Sequence, residues 1–100
     1  MKVTFDWDKG NNVKNYTKHG VSCQEAESVF QDSNRVDFAD PFHSKSEVRY
    51  ITVGKSNRPR TLFVAWTLRR HQVRIISARP ASFKERKIYE EKNKKRGKRT

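Results

Sequence analysis

Acidic residues are scarce in this chain. Eleven Asp and Glu stand against 23 Lys and Arg, leaving a formal charge of +12 over 100 residues and a pI near 10.3. A surface so one-sided repels other cations and calls for a polyanionic partner, with nucleic acid the default. Cysteine is nearly absent. Cys23 alone cannot form an internal disulfide and leaves no cysteine set for a zinc cluster, so it reads as a small buried hydrophobe. Nor is there any run near the ~20 apolar residues of a membrane span. The opening MKVTFDWDKG lacks the apolar core of a secretory leader, so a cytoplasmic protein without membrane attachment is expected. Apolar residues make up only 33% of the chain, yet 11% aromatics in well-formed apolar runs argue for one small core rather than disorder.

The charge is unevenly placed. Residues 1–35 are neutral, whereas residues 36–83 and 84–100 each carry +6, so polyanion contacts are expected in the second half.

Val3, Phe5 and Trp7 alternate in a short first strand, Lys2 to Trp7. Asp8 can cap a helix running to about Lys18 that displays Val13, Tyr16 and Thr17, with His19 and Gly20 as its terminus. Gly10 and three asparagines weaken it. Ser22 and Glu25 have capping-box spacing and open a second helix, to Gln31, with Ala26, Val29 and Phe30 as its stripe. Beyond Arg35, residues Val36–Ala39, Val48–Gly54, Thr61–Arg69 and Gln72–Ala78 read as strands, the last three an antiparallel meander. Ser82 and Glu85 form another capping box, opening a helix to about Lys95 with Phe83, Ile88 and Tyr89 apolar. The expected fold is α+β: a largely antiparallel sheet of four to five strands, two N-terminal helices and one C-terminal helix. Residues 1–91 would form the domain and 92–100 a basic tail.

Pairing the last two strands across Arg70 and His71 divides the sheet into faces. Leu62, Val64, Trp66, Leu68, Val73 and Ile75 form the side for the helices to cover. Phe63, Ala65, Thr67, Arg69, Gln72, Arg74 and Ile76 form the other, where a cationic concave surface is expected.

Cleaving RNA without a metal requires a base for the ribose 2′-hydroxyl, charge stabilisation at the phosphate and an acid for the leaving 5′-oxygen. Glu47 and Arg49, two apart on an extended segment, share a face. A four-residue loop before Arg60 would put them on the helix side, and a five-residue loop through Arg60 would set Arg49 opposite Thr67. A plain surface ion pair would account for the two residues equally well. Arg69, Arg70, Arg74 and Arg79 crowd two strands, a density costly to fold unless a polyanion offsets the repulsion. Arg79, at a strand-to-helix corner, is a candidate for gripping the phosphate bidentately. His19, at a helix C-terminus, could carry a proton or simply cap the helix. His43 and His71 fall in loops, with nothing nearby at metal-ligand spacing.

The strings FDWD, NYTKHGVSCQEAESVFQD, EVRYITVG and RIISARPASFKERKIYEE, in this order between Phe5 and Glu91, resemble the BrnT family of toxins. The resemblance implies a RelE-like fold, an endoribonuclease that arrests translation, and neutralisation by a BrnA-like ribbon-helix-helix antitoxin. It also implies a heterotetramer with that antitoxin, contact with operator DNA only through it, and no cofactor. Lys18 and His19 match its KHG motif, Glu47 and Arg49 its central strand motif, and Arg79, Glu85, Arg86 and Tyr89 its closing motif. Cys23 departs from the aromatic expected after GVS, and the lysine-rich end lies outside the resemblance. The expected catalytic set is His19, Glu47, Arg49, Arg69 and Arg79, with Lys18, Arg74, Arg86 and Tyr89 contacting RNA. Two other readings use the same charge: a non-catalytic RNA-binding module, and an accessory subunit of a repressor complex.

Overall fold

The apolar alternation of the middle of the chain produces a five-stranded sheet. The computed structural model describes residues 3–6, 9–43 and 46–97. Lys2, Trp7, the Asp8 cap and residues 98–100 of the expected tail lie outside the described residues. In chain order the elements are β1 (Phe5–Asp6), α1 (Lys9–His19), α2 (Cys23–Ser28) with a 3-10 turn (Val29–Gln31), β2 (Val36–Ala39), β3 (Arg49–Lys55), β4 (Thr61–Arg69), β5 (Gln72–Pro80) and α3 (Phe83–Gly97). The strand order is β1-β5-β4-β3-β2. β2 to β5 pair antiparallel, and β1 adds a two-residue parallel pairing on β5.

Both capping serines act as their spacing predicts. The Glu25 amide donates to Ser22 Oγ at 3.2 Å. At α3 the exchange is reciprocal: the Glu85 amide donates to Ser82 Oγ (3.3 Å) and the Ser82 amide to Glu85 Oε1 (2.8 Å). The glycine after His19 takes φ +68°, and its amide donates to the Tyr16 carbonyl at 2.8 Å, ending α1 with a left-handed cap.

One apolar cluster unites Val21, Ala26, Val29 and Phe30 with Leu62, Val64, Val73, Ile75 and Ala78. Phe30 meets both Phe5 and Trp66 edge-on. A second cluster lies on the other face, where Val36, Ile51, Val53 and Ala65 pack with Tyr89 of α3. The expectation that the helices cover one side is therefore corrected: α2 and its 3-10 turn cover the Leu62 side, while α3 crosses to the Phe63 side. Leu68, expected under the helices, lies past the end of that cover and is half exposed.

The stripes expected of two helices are also corrected. Val13 and Tyr16 of α1 point outward, as do Phe83 and Ile88 of α3. α1 is held by the residues that lower its helix propensity. Asn11 Nδ2 donates to the Ile76 carbonyl (2.8 Å), and Asn15 Nδ2 donates to the Ala78 carbonyl (2.9 Å) while its Oδ1 accepts the Ala78 amide (2.9 Å). Set one helical turn apart, the two amides satisfy the edge of β5 beyond the short β1.

Two irregularities aim the side chains of β4 and β5. Arg70 and His71 form the tight turn between them with φ of 52° and 68°, the left-handed pair of a type I′ hairpin, built here without glycine. Further along, Ile75 pairs with Trp66 but Ser77 pairs with Ala65, so Ile76 is an extra residue, a β-bulge. Up to Ile75 the odd residues face the core. Beyond the bulge Ala78 takes that side opposite Val64, and Arg79 is turned to the opposite face beside Phe63.

Candidate active site

The β3–β4 hairpin decides the face left open by the sequence. Lys55 pairs with Thr61, leaving the five residues Ser56–Arg60 in the loop, and Arg49 then lies opposite Thr67, which itself pairs with Arg74. Cross-strand partners share a face, so Arg49, Thr67 and Arg74 form a row across three strands on the side away from α2.

A cleft of about 320 Å³ opens above this row, lined by His43, Ser46, Glu47, Arg49, Thr67 and Ile76. Thr67 is buried at its floor, and its hydroxyl donates to the Val48 carbonyl at 2.7 Å, tying the entry of β3 to β4. Glu47 stands at the rim, 3.6 Å from Arg69 Nε, with both side chains about half exposed. A neighbouring cleft, lined by Gly10, Asn11, Lys14, Arg74, Ile75 and Ile76, shares the bulged Ile76 with the first. Arg74 Nη1 is held there by Asp6 Oδ2 at 3.1 Å. Lys14 and Lys18 lie one helical turn apart on α1 and extend the cationic surface. A carboxylate, Arg forks and a shallow open floor are what a phosphodiester needs: a base, bidentate charge stabilisation and room for a chain to pass.

The other sequence-derived candidates lie elsewhere. Arg79 neighbours Phe63, four residues along β4 from Thr67 or roughly 13 Å at strand rise. Its Nη1 and Nη2 donate to Glu85 Oε1 and Oε2 at 2.8 Å each, and its guanidinium lies 4.1 Å from the Phe63 ring centre. The ion pair raises the Arg79 pKa above its ordinary value. Burial works to raise the Glu85 carboxyl, but the Arg79 hydrogen bonds and the Ser82 amide outweigh it and hold it below the usual carboxylate range. His19 is half-buried at the end of α1, beside Gly20, whose carbonyl accepts from Arg60 Nη2 at 2.9 Å. That is the opposite end of the sheet from Glu47. Tyr89 is buried, its hydroxyl donating to Asp32 Oδ2 at 2.6 Å, and Arg86 Nη1 donates to the Ala81 carbonyl at 3.0 Å. The closing motif thus fastens α3 to the sheet, while the central strand motif lines the open cleft.

Sequence reasoning passed over His43 and Thr67. An alternating strand offers no sign that one threonine floors a cleft. His43 did carry a signal, the turn spacing Asp-Pro-x-His. Among the described residues no group of three or more His, Cys, Asp or Glu converges to hold a metal ion, and no helix is long and apolar enough to cross a membrane.

A mixed five-stranded sheet with helices on both faces and an Arg-rich cleft at one end defines a small α+β domain built to meet a polyanion. The chain belongs to the BrnT family: the family described as "Ribonuclease toxin, BrnT, of type II toxin-antitoxin system" matches residues 7–85. The crystal structure of the Brucella abortus ribonuclease toxin BrnT superposes with a TM-score of 0.59, covering 81% of this chain and 99% of that one at 21% identity, a likeness of fold. No curated protein matches the chain. The resemblance carried by the FDWD, KHG, EVR and ISAR strings is therefore a family relationship, and the family is one of ribonuclease toxins.

Proposed function

We propose that this chain cleaves RNA at the Glu47–Arg49 cleft, without a metal ion, by attack of the ribose 2′-oxygen on the adjacent phosphate. The observation that carries the reading is the register setting Arg49 opposite Thr67, which gathers Glu47, Arg49 and Arg69 around one opening. Arg49 neutralises charge building on the phosphoryl oxygens, and Glu47 accepts the 2′-hydroxyl proton. Arg69 orients Glu47 and adds to the positive field. Arg74 and Lys14 grip flanking phosphates along the second cleft, and Lys18 adds charge one turn further along α1. Arg79 belongs instead to the clamp that holds α3, and His19 to the end of α1.

The family relationship supports the wider reading. Cleavage arrests translation, and a BrnA-like ribbon-helix-helix antitoxin neutralises the toxin in a heterotetramer that reaches operator DNA through the antitoxin. The protein works in the cytoplasm.

The test is degradation of RNA by purified protein in excess EDTA, comparing the parent with Arg49→Ala and Glu47→Gln. Losing one preorganised charge contact costs on the order of 100- to 1000-fold in rate. An Arg49→Ala variant that melts like the parent and cleaves at the parent rate would place the chemistry elsewhere.

A further inference from the structure

We infer that His43, oriented by Asp40, is the general acid that protonates the leaving 5′-oxygen. The inference rests on the assignment of cleavage to the Arg49 cleft and supplies the proton donor which that reading lacks.

The local sequence builds the pair. In Asp40-Pro41-Phe42-His43 the proline at the second position presets φ for a turn, and aspartate is favoured at the first. The turn forms, with the His43 amide donating to the Asp40 carbonyl at 3.4 Å. It sets the side chains of its first and last residues against each other, and His43 Nδ1 lies 2.8 Å from Asp40 Oδ2. Asp40 is fixed in turn: its amide donates to the Arg49 carbonyl at 2.8 Å, one pair beyond the β2–β3 ladder. The residue that grips the phosphate and the residue that orients the imidazole are thus joined through the main chain.

The two side chains are unequally exposed, Asp40 at 16% and His43 at 64%. A largely buried carboxylate holding one ring nitrogen of an accessible imidazole is the arrangement of an oriented proton carrier, since it fixes the ring. With Nδ1–H committed to Asp40, Nε2–H is left to act, and His43 lines the same cleft as Glu47 and Arg49. The charged groups about the ring among the described residues are Asp40, Glu47 and Arg49, with Arg69 joined through Glu47.

The step balances. Glu47 takes the 2′-hydroxyl proton as the 2′-oxygen forms its bond to phosphorus. The bond from phosphorus to the 5′-oxygen breaks, and that oxygen takes the proton from His43 Nε2. The products are a 2′,3′-cyclic phosphate and a 5′-hydroxyl end. Exchange with water returns a proton to His43 and removes one from Glu47.

A leaving group that needs no proton separates this role from a merely structural one. The full chain and its His43→Ala, Asp40→Asn and Arg49→Ala variants would be assayed on an RNA with one scissile linkage, and on the same RNA with sulfur in place of the bridging 5′-oxygen. On ordinary RNA, His43→Ala is expected to lose on the order of 100- to 10,000-fold. It should recover most of that loss on the sulfur-leaving substrate and lose the alkaline limb of the pH–rate profile. Asp40→Asn should lose less on ordinary RNA and recover in the same way on the sulfur-leaving substrate, because the ring forfeits the carboxylate that orients it. Arg49→Ala should be impaired on both substrates. If His43→Ala cleaves ordinary RNA at the parent rate, or is equally slow on both substrates, His43 is not the acid, whatever Arg49→Ala shows. If Arg49→Ala also matches the parent, the cleft itself is misassigned.

Discussion

Arg79 and Glu85 meet through two N–H···O bonds of 2.8 Å, and the same Glu85 carboxylate accepts the Ser82 amide that begins α3. One carboxylate therefore closes a capping box and ties the last strand to the last helix. The guanidinium also lies over the Phe63 ring, and the Arg79 side chain stays partly exposed. Arg79→Ala is expected to act on stability. Charge-assisted bonds of this type contribute about 1.5 to 3 kcal/mol, and partial exposure of Arg79 puts the loss at about 1 to 2 kcal/mol. A thermal melt should show Tm lower by roughly 5 to 15 °C, with RNA cleavage by the folded fraction within a few-fold of the parent. A cleavage defect of 100-fold in folded Arg79→Ala would move Arg79 into the catalytic set.

Acid should weaken the fold through three carboxylates. Glu25 is buried, and its hydrogen bonds from Arg60, at 2.7 Å from Nε and 2.5 Å from Nη2, hold its carboxyl below the ordinary value of 4.5 against the effect of burial. For Asp32, burial pushes upward, but the Tyr89 hydroxyl and the Lys55 and Asn34 amides prevail, and it too lies low, as Glu85 does. A depressed carboxyl contributes stability that is complete above its unfolded value and is lost as pH falls through its folded one. Urea midpoints should stay level from pH 7 to about 5 and then fall steeply below about pH 4.5. Glu25→Gln should cost roughly 2 to 3 kcal/mol at pH 7, since it leaves Arg60 without its partner, and the gap should narrow toward pH 3. A parent midpoint that does not change between pH 7 and 3 would contradict this account.

The Arg70–His71 turn holds two side chains in the left-handed region, where Asn-Gly is the favoured pair. Replacing them together, Arg70→Asn with His71→Gly, should relieve steric cost and raise stability by about 1 to 2 kcal/mol, read as a higher urea midpoint with an unchanged slope. A lower midpoint would mean that the two side chains make contacts worth more than the backbone strain.

Much of the fold was legible because the sheet obeys period two and both capping boxes obey their spacing. The Arg49 register was narrowed to two loop lengths, and the Ser56–Arg60 loop chose between them. Other features depend on contacts between distant segments and leave no mark in a local pattern. The asparagines of α1 lower its helix propensity, and only β5 explains them. The extra residue at Ile76 interrupts an alternation that reads through IISA without a break, so the face on which Arg79 emerges was hidden. Of the site, Glu47, Arg49, Arg69 and Arg74 were visible as residue types, and the structure places Arg49 and Arg74 in one row and Glu47 beside Arg69. The family strings also point to Arg79 and Tyr89, whose side chains are bonded to Glu85 and Asp32, and a motif marks residues held for packing as strongly as residues held for chemistry.

The asparagine pair of α1 has a consequence for how this chain meets others. By offering side-chain amides where a neighbouring strand would offer backbone, α1 serves as a surrogate strand along β5. A sheet grows by recruiting extended chain to an unsatisfied border, and here that border is sealed over the stretch that β1 does not reach. The opposite margin of the sheet is β2, the last strand in the order. At a charge of +12, a border closed by side-chain amides rather than by another strand keeps that side of the sheet from pairing with extended chain.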